Sequence, residues 1–184
     1  MIESIGQTKT EFFHFSDAAS PLALRCGDTL ANFTLAYEMY GELSKDRDNV
    51  ILLFHALSAS QHAAGHTENV PGLNVEWDKE CQSGWWDGFI GPGKALDTDK
   101  FCIICANYLG GCYGSTGPGS ENPETGQPYG SLFPRVAISD IVDSQVKLLD
   151  QLGIEKLHAT VGSSLGGMMG LSLATRYPER VGKV

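Results

Sequence analysis

The sequence is short of charge, and shorter still of positive charge. Thirteen Lys and Arg stand against 22 Asp and Glu, a formal net charge of −9. Nucleic acids are bound through a basic face, so this balance excludes them as the main partner. A phosphorylated cosubstrate in a local basic pocket remains compatible with it. No apolar run approaches the roughly 20 residues needed to cross a bilayer. The N-terminus, MIESIGQTKTEFFHF, lacks a basic start followed by an apolar stretch, so no signal peptide is read there. The expectation is a cytoplasmic protein with no membrane partner. The five cysteines are odd in number and irregularly spaced, which argues against a disulfide framework. Cys102 and Cys105 form a C-x-x-C pair, but no second pair follows and the stretch FCIICANY reads as a buried strand. Two plain core cysteines on opposite faces are the expectation, not zinc ligands.

What the chain does have is a core. Hydrophobic residues make up 42% of its 184 positions, a composition and length that fit one globular domain spanning 1–184. PLALRCG (21–27) and NFTLAYEMYG (32–41) read as two strands joined by a turn at Gly27-Asp28. NVILLFH (49–55), KFCIICAN (100–107) and KLHATVG (156–162) are short apolar runs of the kind that parallel strands show when buried on both faces. Ile138, Ile141, Val142, Gln145, Leu148, Leu149 and Leu152 recur at near-helical spacing, and Gly153 supplies a stop. A second helix is predicted from Leu165 to about Arg176, limited by Pro178. Strand, helix, strand, helix is an α/β plan with a mostly parallel sheet flanked by helices. Residues 110–130 carry seven glycines and three prolines. No regular element is expected there, and a long loop in a compact domain is often functional.

Gly162-Ser163-Ser164-Leu165-Gly166 matches G-x-S-x-G, the sharp strand-to-helix turn that presents a nucleophile. With Ser164 at the tip, both flanking positions are glycine. With Ser163 at the tip, Val161 would stand where a small residue is needed. Ser164 is therefore the candidate nucleophile, and a glycine-rich turn with a capping serine is the competing reading. The backbone N–H of Leu165 is one candidate oxyanion donor, at a helix start whose dipole favours negative charge. The second usually comes from a loop after an earlier strand, here the Leu57 N–H in HALSAS. All five histidines (His14, His55, His62, His66 and His158) precede Ser164, and no Asp or His follows it. His55 lies beside the oxyanion loop, where a structural role fits better than that of a base. His62 and His66 are spaced i, i+4 but have no third ligand in view, so no metal is expected.

FHALSASQHAAG (54–65), the run from Gly84 to Ser120 with its NxLGGCxGSTGPxS loop, FPRVAISDIVDSQ (133–145) and VGSSLGGMMGL (161–171) together resemble one family: homoserine O-acetyltransferase, of α/β-hydrolase fold. The resemblance extends from about Phe12 to Val184. It implies an acetyl group moved from acetyl-CoA, a cosubstrate and not a resident cofactor, through a serine ester to the hydroxyl of L-homoserine, in methionine synthesis. It also leaves room for a homodimer of the full-length protein. Members of the family are considerably longer and carry the triad Asp and His, and a helical lid, beyond the point matching Val184. The expectation is thus an N-terminal portion of one catalytic domain, truncated after the elbow helix. Alone it would be inactive, with a sheet edge uncovered and a tendency to aggregate. Related members use succinyl-CoA, or serine as acceptor. A serine esterase of the same fold and a catalytically inactive fragment are the alternatives.

Overall fold

A computed structural model describes residues 4–73 and 75–184; the first three residues of the N-terminal segment read above lie outside them. The strands in chain order are β1 (Glu11–Ser16), β2 (Leu22–Ala23), β3 (Thr29–Leu30), β4 (Asn32–Tyr40), β5 (Val50–Phe54), β6 (Ile90–Gly91), β7 (Leu96–Asp97), β8 (Cys102–Ala106), β9 (Glu121–Asn122), β10 (Gln127–Pro128) and β11 (Ala159–Gly162). Helix α1 is Ile138–Gln151 and α2 is Leu165–Arg176. The central sheet has the order β1-β4-β8-β5-β11.

The strands at its heart pair in parallel, β8 with β5 and β5 with β11, as their apolar runs predicted. The other half is antiparallel: β4 pairs with β8 and β1 with β4. The described sheet is therefore mixed. The Gly27-Asp28 turn does close a hairpin, but one of only two residues a side, β2 with β3. The long partner of β4 is β1, whose EFFHFS run has no clean apolar alternation in the sequence.

The two central strands alternate between two cores. Val50, Leu52 and Phe54 face one side and Ile51 and Leu53 the other; Cys102, Ile104 and Ala106 oppose Ile103 and Cys105 in the same way. The cysteine pair thus splits across the sheet as expected from strand periodicity. Burial pushes the Cys102 thiol up to about 11 and raises Cys105 as well, so both stay protonated. Both helices pack on the first face, where Val142, Leu148, Leu149, Met169 and Leu173 are buried. The second face is covered by residues 84–97, whose four glycines and one proline preclude a helix and give only the two-residue ladder of β6 and β7.

Local signals set the helix ends. Asp140 Oδ2 accepts the Ala137 N–H at 2.9 Å, closing the first turn of α1, while its Oδ1 accepts the Arg25 N–H at 3.1 Å from the β2–β3 hairpin. At the other end Gly153 takes φ +66°, its N–H donates to Asp150 O and the Ile154 N–H to Leu149 O. That pair of bonds is the Schellman stop that the glycine predicted. Arg176 grips Asp143 with its Nη1 and Nη2 at 2.6 and 2.8 Å, and the Tyr177 hydroxyl donates to the same carboxylate, tying α2 to α1.

Two expectations are corrected. Residues 110–130 are not wholly irregular: β9 and β10 form a short antiparallel hairpin within them. The edge of β11 is not bare either. Leu157 bridges Val181 in parallel, and the Thr160 N–H donates to Lys183 O, so residues 181–183 lie alongside β11.

Candidate active site

Register brings the site together. Gly162 stands opposite Phe54, and Leu53 opposite Cys105. Three parallel strands therefore stop at the same level. The next residues of each, His55 to Leu57, Asn107 to Gly111, and Ser163 to Leu165, emerge at one edge. Ligands of open α/β sheets bind in the crevice outside these carboxyl ends.

At the end of β11 the chain makes the predicted elbow. Ser164 has φ 54° and ψ −123°, a conformation that L side chains rarely adopt and that persists only when its surroundings enforce it. The enforcement is visible in the two glycines. A Cβ on Gly162 would lie 2.4 Å from the carbonyl atoms of Gly166, and one on Gly166 would lie 2.2 Å from Phe54 O. Only glycine lets α2 rise this close to β5 and β11. The Ser164 side chain makes no capping bond to the helix it precedes, which removes the capping role as the reason for the serine. Both Ser163 and Ser164 are exposed. The carbonyls of Ser163 and Ser164 accept the N–H groups of Gly166, Gly167 and Met168. Leu165 opens α2, so its N–H has no intrahelical acceptor and is available to a ligand.

Leu57 and Leu165 line one cleft of about 580 Å³, with Asn107, Gly110, Gly111 and Phe133 among its walls. Ser164 adjoins the cleft through Leu165 and is not itself part of its wall. Leu57 is 79% exposed, at the crest of a turn closed by the Ala59 N–H donating to Ala56 O. No Asp, Glu, Lys or Arg lines the cleft among the described residues.

The glycine-rich loop forms the cleft's far wall. A Cβ on Gly111 would meet Tyr108 O at 2.8 Å, and one on Gly117 would meet Gly111 O at 2.5 Å. Hydroxyls stitch the loop to β4 beyond the end of the ladder: Ser115 Oγ accepts the Ala36 N–H and donates to Asn107 O, and Thr116 Oγ1 accepts the Thr34 N–H.

His55 is 2% exposed and stacks on Tyr108 with ring centroids 3.8 Å apart. The Tyr108 hydroxyl donates to His55 O, and His55 Nδ1 donates to Ala56 O at 2.7 Å. Burial lowers its pKa to about 4; bonds to the Ala56 carbonyl and the Asn107 side chain oppose the shift without cancelling it. The contact with Asn107 is off-line, since neither His55 Nε2 nor Asn107 Nδ2 has a partner of standard hydrogen-bond geometry. His55 is a neutral strut beneath the turn that carries Leu57. His62 and His66 share no helix face, because residues 60–66 are not helical. His62 turns inward to Glu38, a partner that sequence reasoning missed because 24 residues separate the two. Alternation along β4 could have flagged Glu38 as an acid among buried apolar positions.

Residues 49–184 match the family model of the alpha/beta hydrolase fold. The chain is 51% identical over 180 residues to homoserine O-succinyltransferase of Azoarcus sp. (strain BH72), covering 98% of this chain and 45% of that protein. Among solved structures it is similar to homoserine O-acetyltransferase from Bacillus anthracis, with TM-score 0.80 and 36% identity over 96% of this chain and 45% of that one. It is equally similar to esterase E22, with TM-score 0.80 and 38% identity over 95% of this chain and 46% of the other. The chain thus spans about half the length of the relatives it matches. The elbow, the sheet order and the family match agree: this chain belongs to the α/β-hydrolase fold family.

Proposed function

We propose that the protein is a homoserine O-acyltransferase of methionine synthesis that works through an acyl-enzyme on Ser164. The observation that carries this is Ser164 itself: a non-glycine residue in a rare backbone conformation, exposed, with its hydroxyl uncommitted, at the carboxyl edge of the sheet. In the first half-reaction Ser164 Oγ attacks the thioester carbonyl of an acyl-CoA. The negative charge that develops on the carbonyl oxygen is met by the N–H groups of Leu57 and Leu165. The C–S bond breaks and CoA leaves as the thiol with the serine proton. In the second, the hydroxyl of L-homoserine attacks the ester, its proton passes to Ser164 Oγ, and O-acyl-homoserine departs. Splitting one transfer into two acyl exchanges is the usual gain of a covalent serine.

An acetyl donor is the first reading, supported by the motif resemblance and by the likeness to the Bacillus anthracis structure bearing the name homoserine O-acetyltransferase. Succinyl is the second, favoured by the 51% identical relative bearing that name. The base that activates Ser164 is assigned to neither His55, which is neutral and bonded to Ala56, nor His62, which is buried against Glu38. Residues 1–184 assayed alone are expected to turn over orders of magnitude slower than a complete triad enzyme. The test uses the intact gene product with acetyl-CoA and succinyl-CoA in parallel. CoA release that depends on L-homoserine, with O-acyl-homoserine as product, supports the reading, and the faster thioester names the donor. CoA release indifferent to homoserine would instead mark an esterase-like hydrolase.

A further inference from the structure

The oxyanion turn is an arch with two feet. One foot is His55, held by Tyr108. The other is Ser60 to Ala63, and it stands on a polar cluster sealed inside the protein. Glu38 and His62 are 0% and 1% exposed. His62 Nε2 lies 3.1 Å from the Gln82 carbonyl, which can only accept, so Nε2 carries a proton. Nδ1 lies 3.0 Å from Glu38 Oε2 and 3.2 Å from Oε1. One further proton therefore sits between imidazole and carboxylate. Thr10 Oγ1 donates to Oε1 at 2.7 Å. The Tyr40 hydroxyl accepts the Ala63 N–H at 2.6 Å and turns its own proton toward Gln61 O at 2.9 Å and Glu38 Oε2 at 3.0 Å.

This cluster is an unusual use of a core. Burying a carboxylate and an imidazole brings a desolvation penalty that their mutual attraction only roughly offsets, and apolar residues of like volume would stabilise as well. What apolar residues could not do is bind the backbone of Gln61 and Ala63. Those two bonds, with the Trp85 Nε1–H donating to Ser60 O at 2.9 Å, fix where the arch comes down. The crest is then free only within the span between two pinned ends.

We infer that Glu38, His62 and Tyr40 are positioning residues for catalysis: they hold the arch so that the Leu57 N–H meets the developing oxyanion. The inference rests on the acyltransferase reading, in which Leu57 is an oxyanion donor. Loss of an oxyanion donor slows a serine protease of another fold by about 100- to 1,000-fold, and a misplacement of about 1 Å costs about 100-fold. Loosening one foot is therefore expected to slow acylation by about 10- to 100-fold.

The test is burst kinetics on the intact gene product with the preferred acyl-CoA. Burst amplitude counts competent molecules and burst rate reads the geometry of each. Glu38→Ala and His62→Ala are expected to lower the burst rate per titrated site by that factor, with little change in KM. Glu38→Gln keeps an acceptor for Thr10 and turns an amide donor to His62 Nδ1, while the Tyr40 hydroxyl keeps Gln61 O as its acceptor, and should restore the rate to within a few-fold of wild type. Should the alanine variants fail to fold, Tyr40→Phe carries the test, since it removes only the hydroxyl bridging Gln61 and Ala63, and it too must slow the burst. A wild-type burst rate per titrated site in the folded variants would reduce the cluster to a stability element and overturn the inference. Wild-type protein that forms no acyl-enzyme would instead refute the function on which the inference rests.

Discussion

Gly166→Ala adds one methyl group at the tightest point of the elbow. Its Cβ would lie 2.2 Å from Phe54 O, 2.8 Å from Phe54 C and 3.0 Å from His55 O. All three are backbone atoms of the strand β5 exit, so no side chain can rotate away. Ordinary contact needs more than 3.4 Å, so the start of α2 must retreat from β5 by about 1 Å. Overpacking of this kind costs about 1–3 kcal/mol. The same retreat carries the Leu165 N–H and Ser164 away from the cleft, where about 1 Å is worth about 100-fold in rate. Gly88→Ala is the control, because a Cβ there meets nothing within 4 Å and φ is not positive; it should be neutral or slightly stabilising. Denaturant melts of the two variants, read as midpoint shifts at constant slope, separate the cases. A Gly166→Ala protein as stable as the Gly88→Ala control would refute the close approach of α2 to β5 and the explanation of the motif built on it.

Other expectations follow from the same geometry. His55 has its pKa lowered to about 4 against an ordinary 6.5, so between those values the unfolded chain binds the extra proton. Its contribution is complete above about pH 6.5 and fades as pH falls toward 4, by about 3 kcal/mol at most. Denaturation at stepped pH should show this slope in wild type and not in His55→Asn. Leu149 is wholly enclosed between α1 and the sheet, and Leu149→Ala should lower unfolding free energy by about 2–5 kcal/mol. A loss below about 1 kcal/mol in the same melt would mean that the site is not close-packed.

The site's most legible part was the elbow. The two glycines can be assigned because steric demand leaves a mark in residue identity, and the structure puts both of their missing Cβ atoms inside neighbouring backbone. The apolar runs at 49–55 and 100–107 were equally plain, since strands buried on both faces have no polar phase to confuse them. Strand β1 was missed for the opposite reason. Its EFFHFS run mixes exposed Glu11 and His14 with buried Phe13, and at an edge its fate depends on a partner sixteen or more residues away. The antiparallel half of the sheet could not be inferred either, because pairing direction leaves no trace in composition. Glu38 and His62 stayed hidden because their chemistry exists only once β4 and the 60–66 segment meet.

The central claim is that Ser164, not its neighbour, carries the acyl group. The direct measurement is peptide mass spectrometry of the intact protein quenched during turnover with acetyl-CoA or succinyl-CoA, without acceptor. The account predicts one acyl group on the peptide containing VGSSLGGMMGL, localised to Ser164, absent from Ser164→Ala, retained in Ser163→Ala and discharged by L-homoserine. An acyl group on Ser163 or on the exposed thiol of Cys112, or one that homoserine does not remove, would contradict it.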